Sequence, residues 1–240
     1  MNSIETKNLT KKFKDKIAVN GIDLKIKQGE LFALLGVNGA GKTTTIKMLS
    51  GLILPTSGDI IIEDMNMKKD VFKIKEILNV SPQETAIAPN LTVKENLEFM
   101  AGVYQIKNKD SKINELIKQF KLEEVLNKKA KTLSGGWQRK VSIAISLIND
   151  PRILFLDEPT LGLDVIARKE LWKIIDSLKG KITIILTTHY MEEAESLSDR
   201  IGIMSNGKLI DIGTSKELIK KAKAKNFEDA FVTLATGGEL

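Results

Sequence analysis

The 240-residue sequence has no cysteine. That excludes a disulfide framework, thiolate metal sites and a cysteine nucleophile. Its single histidine, His189, excludes a multi-histidine metal centre and paired-imidazole acid–base chemistry. Aromatic residues make up only 5% of the chain, and the least polar stretches, 141–148 and 182–186, fall far short of a membrane-crossing helix. The opening residues, MNSIETKNLTKKFKDK, lack the apolar core of a signal peptide. The chain is therefore expected to stay in the cytosol and to act at a membrane only through a partner. Arginine is also scarce: four of the 37 basic residues, at 139, 152, 168 and 200. The net charge of +6 thus rests on lysines, which are scattered apart from small clusters at 11–16, 128–131 and 220–225. Base readout leans on arginine forks, so a lysine-coated solvated surface is expected and no specific nucleic-acid partner.

What is present is ordinary globular material, 42% hydrophobic and 28% charged, long enough for one large domain with a sub-lobe. Strand-like and helix-like segments alternate, which predicts an α/β fold around a largely parallel sheet. Two short alternating segments, 3–9 and 22–26, open the chain. Residues 30–35 read as a buried strand leading into a glycine-rich turn and a helix from Lys42, and residues 59–62 as an edge strand. From Thr92, where Thr92-Val-Lys-Glu95 has the form of a capping box, the chain reads as mostly helical to about Ile148. This defines a helical sub-lobe of about 85–150. Strands are expected again at 77–80, 153–156 and 182–187, with a helix through 171–178. An apolar run at 201–204, the pair Asn206-Gly207 and residues 208–213 predict a hairpin. The domain is expected to occupy 1–225, with a C-terminal tail over 226–240.

Three motifs carry chemistry. Gly36-Val37-Asn38-Gly39-Ala40-Gly41-Lys42-Thr43 is a G-x-x-x-x-G-K-[ST] phosphate loop. Phosphates need several donors aimed at one point. Glycines let backbone N–H groups curl around the anion, Lys42 reaches the β and γ oxygens, and Thr43 offers a hydroxyl to Mg²⁺. The second motif, Ile153-Leu154-Phe155-Leu156-Asp157-Glu158, places two carboxylates at the C-terminal end of a buried strand, where α/β sheets hold ligands. Asp157 suits Mg²⁺, and Glu158 suits the role of base for an attacking water. The third, Leu133-Ser134-Gly135-Gly136-Trp137-Gln138, stands 23 residues before Asp157. A serine N-cap followed by two glycines at a helix start is a second anion-binding element.

In order and spacing the three resemble the ATP-binding cassette (ABC) family, over nearly the whole chain from about residue 3 to residue 220. The resemblance implies a P-loop NTPase (RecA-like) core with an N-terminal antiparallel β subdomain and an inserted α-helical subdomain. It implies ATP and Mg²⁺ as ligands. Gly36 through Lys42, Thr43 and Thr44 would cradle the phosphates, and Phe13 would stack on adenine. Thr43, Gln83 and Asp157 would hold the metal. Glu158, Gln83 and His189 would form the catalytic set, with His189 lying 31 residues past Glu158. Ser134, Gly135 and Gly136 would complete the ATP site of a second, head-to-tail copy of the same or a related cassette. Pro159 to Asp164 matches the loop that crosses to that partner.

The chain departs from the family pattern at Trp137, where Gln is common, at Leu161, where Ser is common, and at Phe13, where Tyr is common. Trp137 puts in doubt the packing of the signature at the dimer or permease interface. The Gly-Leu-Asp loop and the Phe-Glu-Asp-x-Phe segment at 227–231 look most like ATPase subunits of ABC-2 type exporters. Such a subunit would sit on the inner face of the membrane and drive a separate integral permease. The weighed alternative is an ABC ATPase serving a non-transport assembly such as iron–sulfur biogenesis. A neighbouring gene for a membrane protein would separate the two. A GTPase is disfavoured because the sequence has no NKxD box.

Overall fold

A computed structural model describes residues 1–237. Two sheets form its frame. The first is antiparallel and contains β1 (Asn2–Phe13), β2 (Lys16–Lys27), β4 (Ser57–Ile62) and β5 (Met65–Asn66), in the order β2-β1-β4-β5. The second contains β3 (Leu31–Leu35), β6 (Leu78–Ser81), β7 (Ile153–Asp157), β8 (Thr183–Thr188), β9 (Arg200–Ser205) and β10 (Lys208–Gly213). Its order is β10-β9-β3-β8-β7-β6; all neighbours run parallel except the β9–β10 hairpin. The expected edge strand at 59–62 differs: β4 pairs with β1 along its length, and the two-residue β5 covers part of its other side.

Strands β3 and β7 are apolar because both faces of the parallel sheet are covered. Alternation divides their side chains between two cores. Leu31, Ala33, Leu35, Leu154 and Leu156 pack on the helical side. Phe32, Leu34, Ile153 and Phe155 pack on the opposite side, together with Ile4, Leu24 and Ile62 of the antiparallel sheet. Between β3 and β6 lie α1 (Lys42–Leu49) and α2 (Val71–Ile77). The helical lobe holds α3 (Val93–Val103), α4 (Lys109–Phe120) and α5 (Gly135–Ser146). The Thr92 capping box forms as expected: Glu95 N donates to Thr92 Oγ1 at 3.2 Å, and Thr92 N donates to Glu95 Oε2 at 2.7 Å. Helix α4 turns Ile113, Leu116, Ile117 and Phe120 inward, at the spacing read from the sequence.

Helix α6 (Val165–Leu178) follows β7, and α7 (Met191–Leu197) follows β8. In the β9–β10 hairpin, Asn206 and Gly207 have φ of 49° and 76°, the left-handed pair a two-residue turn needs. Helix α8 (Ser215–Ala222) and helix α9 (Phe227–Thr236) close the described chain. The segment expected as a tail is thus largely helical. Phe227 and Phe231 are buried in the same core as Ala194 and Leu218, so its apolar residues serve packing. The last part of that expected tail, 238–240, lies outside the described residues. No described helix is long and apolar enough to cross a membrane.

Candidate nucleotide site

The C-terminal ends of β3, β7 and β8 lie side by side, with Leu35 beside Thr188 and Asp157 beside Thr187. Every motif residue expected to touch nucleotide phosphates in this chain hangs from those ends. The loop between β3 and α1 is confined on two sides. A Cβ on Gly36 would lie 2.5 Å from the Met204 carbonyl oxygen, and one on Gly41, whose φ is 103°, would lie 2.5 Å from the Ala18 carbonyl oxygen. Only glycine fits at either place. Lys42, 5% exposed, folds back over the loop and donates to the carbonyls of Gly36 at 2.7 Å and Val37 at 3.3 Å. Its ammonium also lies 3.1 Å from Glu158 Oε1.

Asp157 Oδ1 accepts from Thr43 Oγ1 at 3.0 Å and from Thr187 Oγ1 at 2.5 Å. Glu158, 5% exposed, takes a left-handed backbone with φ 48°, uncommon for a residue with a side chain. Its N–H reaches Thr187 Oγ1 at 3.1 Å. Its carboxylate bridges two groups: Lys42 through Oε1, and His189 Nδ1 through Oε2 at 2.8 Å. One carboxylate thus links the phosphate loop to the histidine after β8. Gln83, just past β6, joins Asn38, Glu158, Leu161 and His189 around a cavity of about 290 Å³.

A second cavity, about 280 Å³, lies across the loop and is lined by Phe13, Lys16, Ala18 and residues 38–44, Thr44 included. Phe13 is 48% exposed at the end of β1, with the Lys11 ammonium 5.0 Å from its ring centre. Ser134, Gly135 and Gly136 line neither cavity. Ser134 is the exposed N-cap of α5 and makes no side-chain cap bond. The signature is therefore not gathered with the other motif residues inside one chain. Asp164 caps α6, accepting from the N–H groups of Ile166 and Ala167, both at 2.9 Å. Trp137 is partly buried; the Lys140 ammonium stands 4.5 Å from its ring centre and binds Glu170 at 2.7 Å.

The residues present fit a triphosphate with a divalent cation. The first N–H groups of α1 have no partner within the helix, and no acidic residue stands in its first turn to compete with an anion. A hydroxyl and a carboxylate 3.0 Å apart suit a cation that keeps waters and phosphate oxygens as its other ligands. Among the described residues no group of three or more His, Asp or Glu could hold a metal by itself, so phosphate oxygens would have to share in the coordination.

Sequence reasoning passed over two residues behind the site. Thr187 orients both Asp157 and the Glu158 backbone; a threonine pair at a strand end gives no signal of that. Glu193, fully buried, accepts from Thr160 Oγ1 at 2.8 Å and Trp172 Nε1 at 3.0 Å. Burial pushes its carboxyl above the usual range, and the negative Glu158 adds to this, against the opposing hydrogen bonds from Thr188, Thr160 and Trp172. A carboxyl raised in the folded state adds no penalty below its unfolded pKa; the penalty grows as pH rises above that value and levels off past the folded pKa. The melting-temperature gain of Glu193→Gln over the parent should therefore be larger at pH 8 than at pH 5. Equal differences at the two pH values would contradict a raised carboxyl.

The family model described as ABC transporter matches residues 19–161, more than half of the chain. The chain belongs to the ABC transporter family. This cassette is 42% identical over 234 residues to the "Probable multidrug ABC transporter ATP-binding protein YbhF" of Escherichia coli (strain K12), across 96% of the cassette and 40% of that protein. It therefore spans less than half the length of that relative. It is 39% identical over 221 residues to the "Linearmycin resistance ATP-binding protein LnrL" of Bacillus subtilis (strain 168), across 91% of the cassette and 71% of that protein. A solved ATP-binding subunit of an ABC transporter superposes with a TM-score of 0.86 at 28% identity, covering 96% of the cassette and 98% of that chain. A dimeric ATP-binding cassette in a post-hydrolysis state, bound to ADP and Pi, superposes at 0.79 with 27% identity, covering 88% and 98%. The P-loop NTPase fold expected from the sequence is the fold found.

Proposed function

We propose that this cassette binds and hydrolyses ATP as the motor subunit of an ABC transporter of the ABC-2 export type. The observation that carries the reading is the Glu158 carboxylate set between Lys42 and His189, next to an Asp157 that holds Thr43. The γ-phosphate would lie between Lys42 and His189, with adenine against Phe13 in the second cavity. ATP binding has to separate Lys42 from Glu158, because the ammonium then faces phosphate oxygens. Freed of that pair, Glu158 stays oriented by His189 and accepts a proton from water as its oxygen attacks the γ-phosphorus and the β–γ bond breaks. Lys42 and the loop amides face the charge on the departing ADP. Mg²⁺, held by Thr43, Gln83 and Asp157, would neutralise negative charge on the phosphate oxygens.

The exposed signature is what supports a shared site. Ser134, Gly135 and Gly136 lie outside both cavities of their own chain, where a second copy can meet them. Two cassettes would enclose two ATP molecules head to tail, in the two-fold arrangement most common among oligomers. The solved post-hydrolysis cassette is itself a dimer. Opening and closing would act on an integral membrane permease, holding the cassette at the inner membrane face. The relatives YbhF and LnrL, named for multidrug transport and linearmycin resistance, support export. Residues 1–225 would form this ATPase domain, with the lobe of about 85–150 inserted in it.

Lys42→Ala is the direct test of the pocket. It removes the charge-assisted contacts to phosphate, so titration calorimetry should show Mg-ATP affinity reduced by at least about tenfold. Affinity unchanged within about twofold would reject Lys42 as the phosphate ligand.

A further inference from the structure

Arg139 is one of only four arginines, and it lies in the interior, 5% exposed. Burial lowers the pKa of its guanidinium, against the raising influence of Asp157 and Glu193, yet an arginine keeps its charge in proteins. A buried cation is costly unless its donors are satisfied. Here they go to main chain. Nη1 donates to the carbonyl of Pro82 at 2.6 Å, and Nη2 donates to the carbonyl of Gln83. Among the described residues, these are the hydrogen bonds found on the backbone of residues 82–84. One helical turn on, Ser142 Oγ lies 3.3 Å from Ser81 Oγ, the last residue of β6. The Arg139 face of α5 therefore grips the start of the loop that carries Gln83, while Lys140 turns to Glu170 of α6.

The N-cap of the same helix is Ser134, five residues before Arg139. That is about 7–8 Å of stiff helix at the usual rise. We propose that Arg139 is a positioning residue that ties the Gln83 main chain to the signature helix, so that engagement of the signature by a partner's nucleotide sets Gln83 in the chain's own site. This rests on the shared-site reading above. It makes each composite site dependent on the other within one dimer, through a contact that neither nucleotide touches. Gly136 strengthens the mechanical unit on its other side: a Cβ there would lie 3.1 Å from Ala167 Cβ of α6, so α5 and α6 already meet closely.

The test is a double-mutant cycle read in steady-state ATPase activity of the full chain. Arg139→Met should bind Mg-ATP as the parent does within about twofold, because neither cavity includes Arg139. It should lose at least about tenfold in kcat, and the Hill coefficient for ATP should fall toward 1. Arg139→Lys, able to reach one carbonyl, should restore part of both. In the Gln83→Ala background, adding Arg139→Met should cost no more than about a further twofold. Losses that multiply would overturn the proposal, as would an Arg139→Met kcat within about twofold of the parent. A Gln83→Ala single variant with full activity would instead sink the assignment of Gln83 itself, and the proposal with it. Should Arg139→Met fail to fold by circular dichroism, Arg139→Lys takes its place in the cycle: its smaller kcat loss should disappear in the Gln83→Ala background, and a loss that multiplies there would overturn the proposal.

Discussion

Glu158→Gln should turn over ATP at least about 100-fold more slowly than the parent while binding Mg-ATP with similar affinity. Removal of a general base typically costs 10²–10⁴ in rate. The amide keeps the shape of the carboxylate and one oxygen toward Lys42, so the buried position at the end of β7 remains filled. What is lost is the proton acceptor. The left-handed backbone at Glu158 is unaffected by the exchange, since it depends on the turn and not on the side-chain charge. Rapid-quench measurement of phosphate release checks the rate, and calorimetry checks binding. Turnover within about tenfold of the parent would remove Glu158 as the base and leave it as a partner of Lys42 and His189 only.

Ser134→Arg should have the second large effect, of a different kind. Ser134 is exposed and makes no side-chain cap bond, so the fold has little reason to resist the change. It lines neither cavity, so single chains should bind ATP as before. The added guanidinium would occupy the space in front of the α5 N-terminus, where a partner's γ-phosphate is to be received. ATPase activity should therefore fall by at least about tenfold while the ATP affinity of the single chain stays within about twofold. A matching loss of single-chain affinity would place the signature in its own chain's pocket.

The legible parts of this molecule are those in which one local constraint decides the outcome. The phosphate loop could be read because Gly36 and Gly41 approach backbone so closely that no other residue fits. The buried strands β3 and β7 and the amphipathic α4 could be read because burial imposes a period. The Asn206-Gly207 turn could be read because it needs two left-handed residues. Short elements escaped. Helix α2 buries only Ile74, and β5 is two residues long, so neither has room for a period. In the expected tail over 226–240, the segment 227–231 is legible only as a resemblance, and the burial of Phe227 and Phe231 beside Ala194 of α7 depends on a partner some 30 residues away. In the site, Asp157, Glu158, His189 and Lys42 were found because each ends a strand or follows a motif. Thr187, Glu193 and the Arg139 clamp were not, because their meaning lies in contacts across 21 to 57 residues. Trp137, a departure from the family pattern, stands with its ring under the Lys140 ammonium of its own helix.

A site shared between two chains has one consequence that a self-contained pocket does not. Ser134→Arg and Lys42→Ala each damage both sites of a homodimer. A mixed dimer joins the intact phosphate loop of the Ser134→Arg chain to the intact signature of the Lys42→Ala chain and so restores one composite site, while the other carries both lesions. Sedimentation velocity of the two variants with Mg-ATP, alone and mixed in equal amounts, is the measurement to make. A shared site predicts monomers in each single sample and an ATP-dependent dimer in the mixture, with ATPase activity above that of either variant alone. Ser134→Arg dimerising by itself as the parent does, or a mixture no more dimeric than its components, would contradict it.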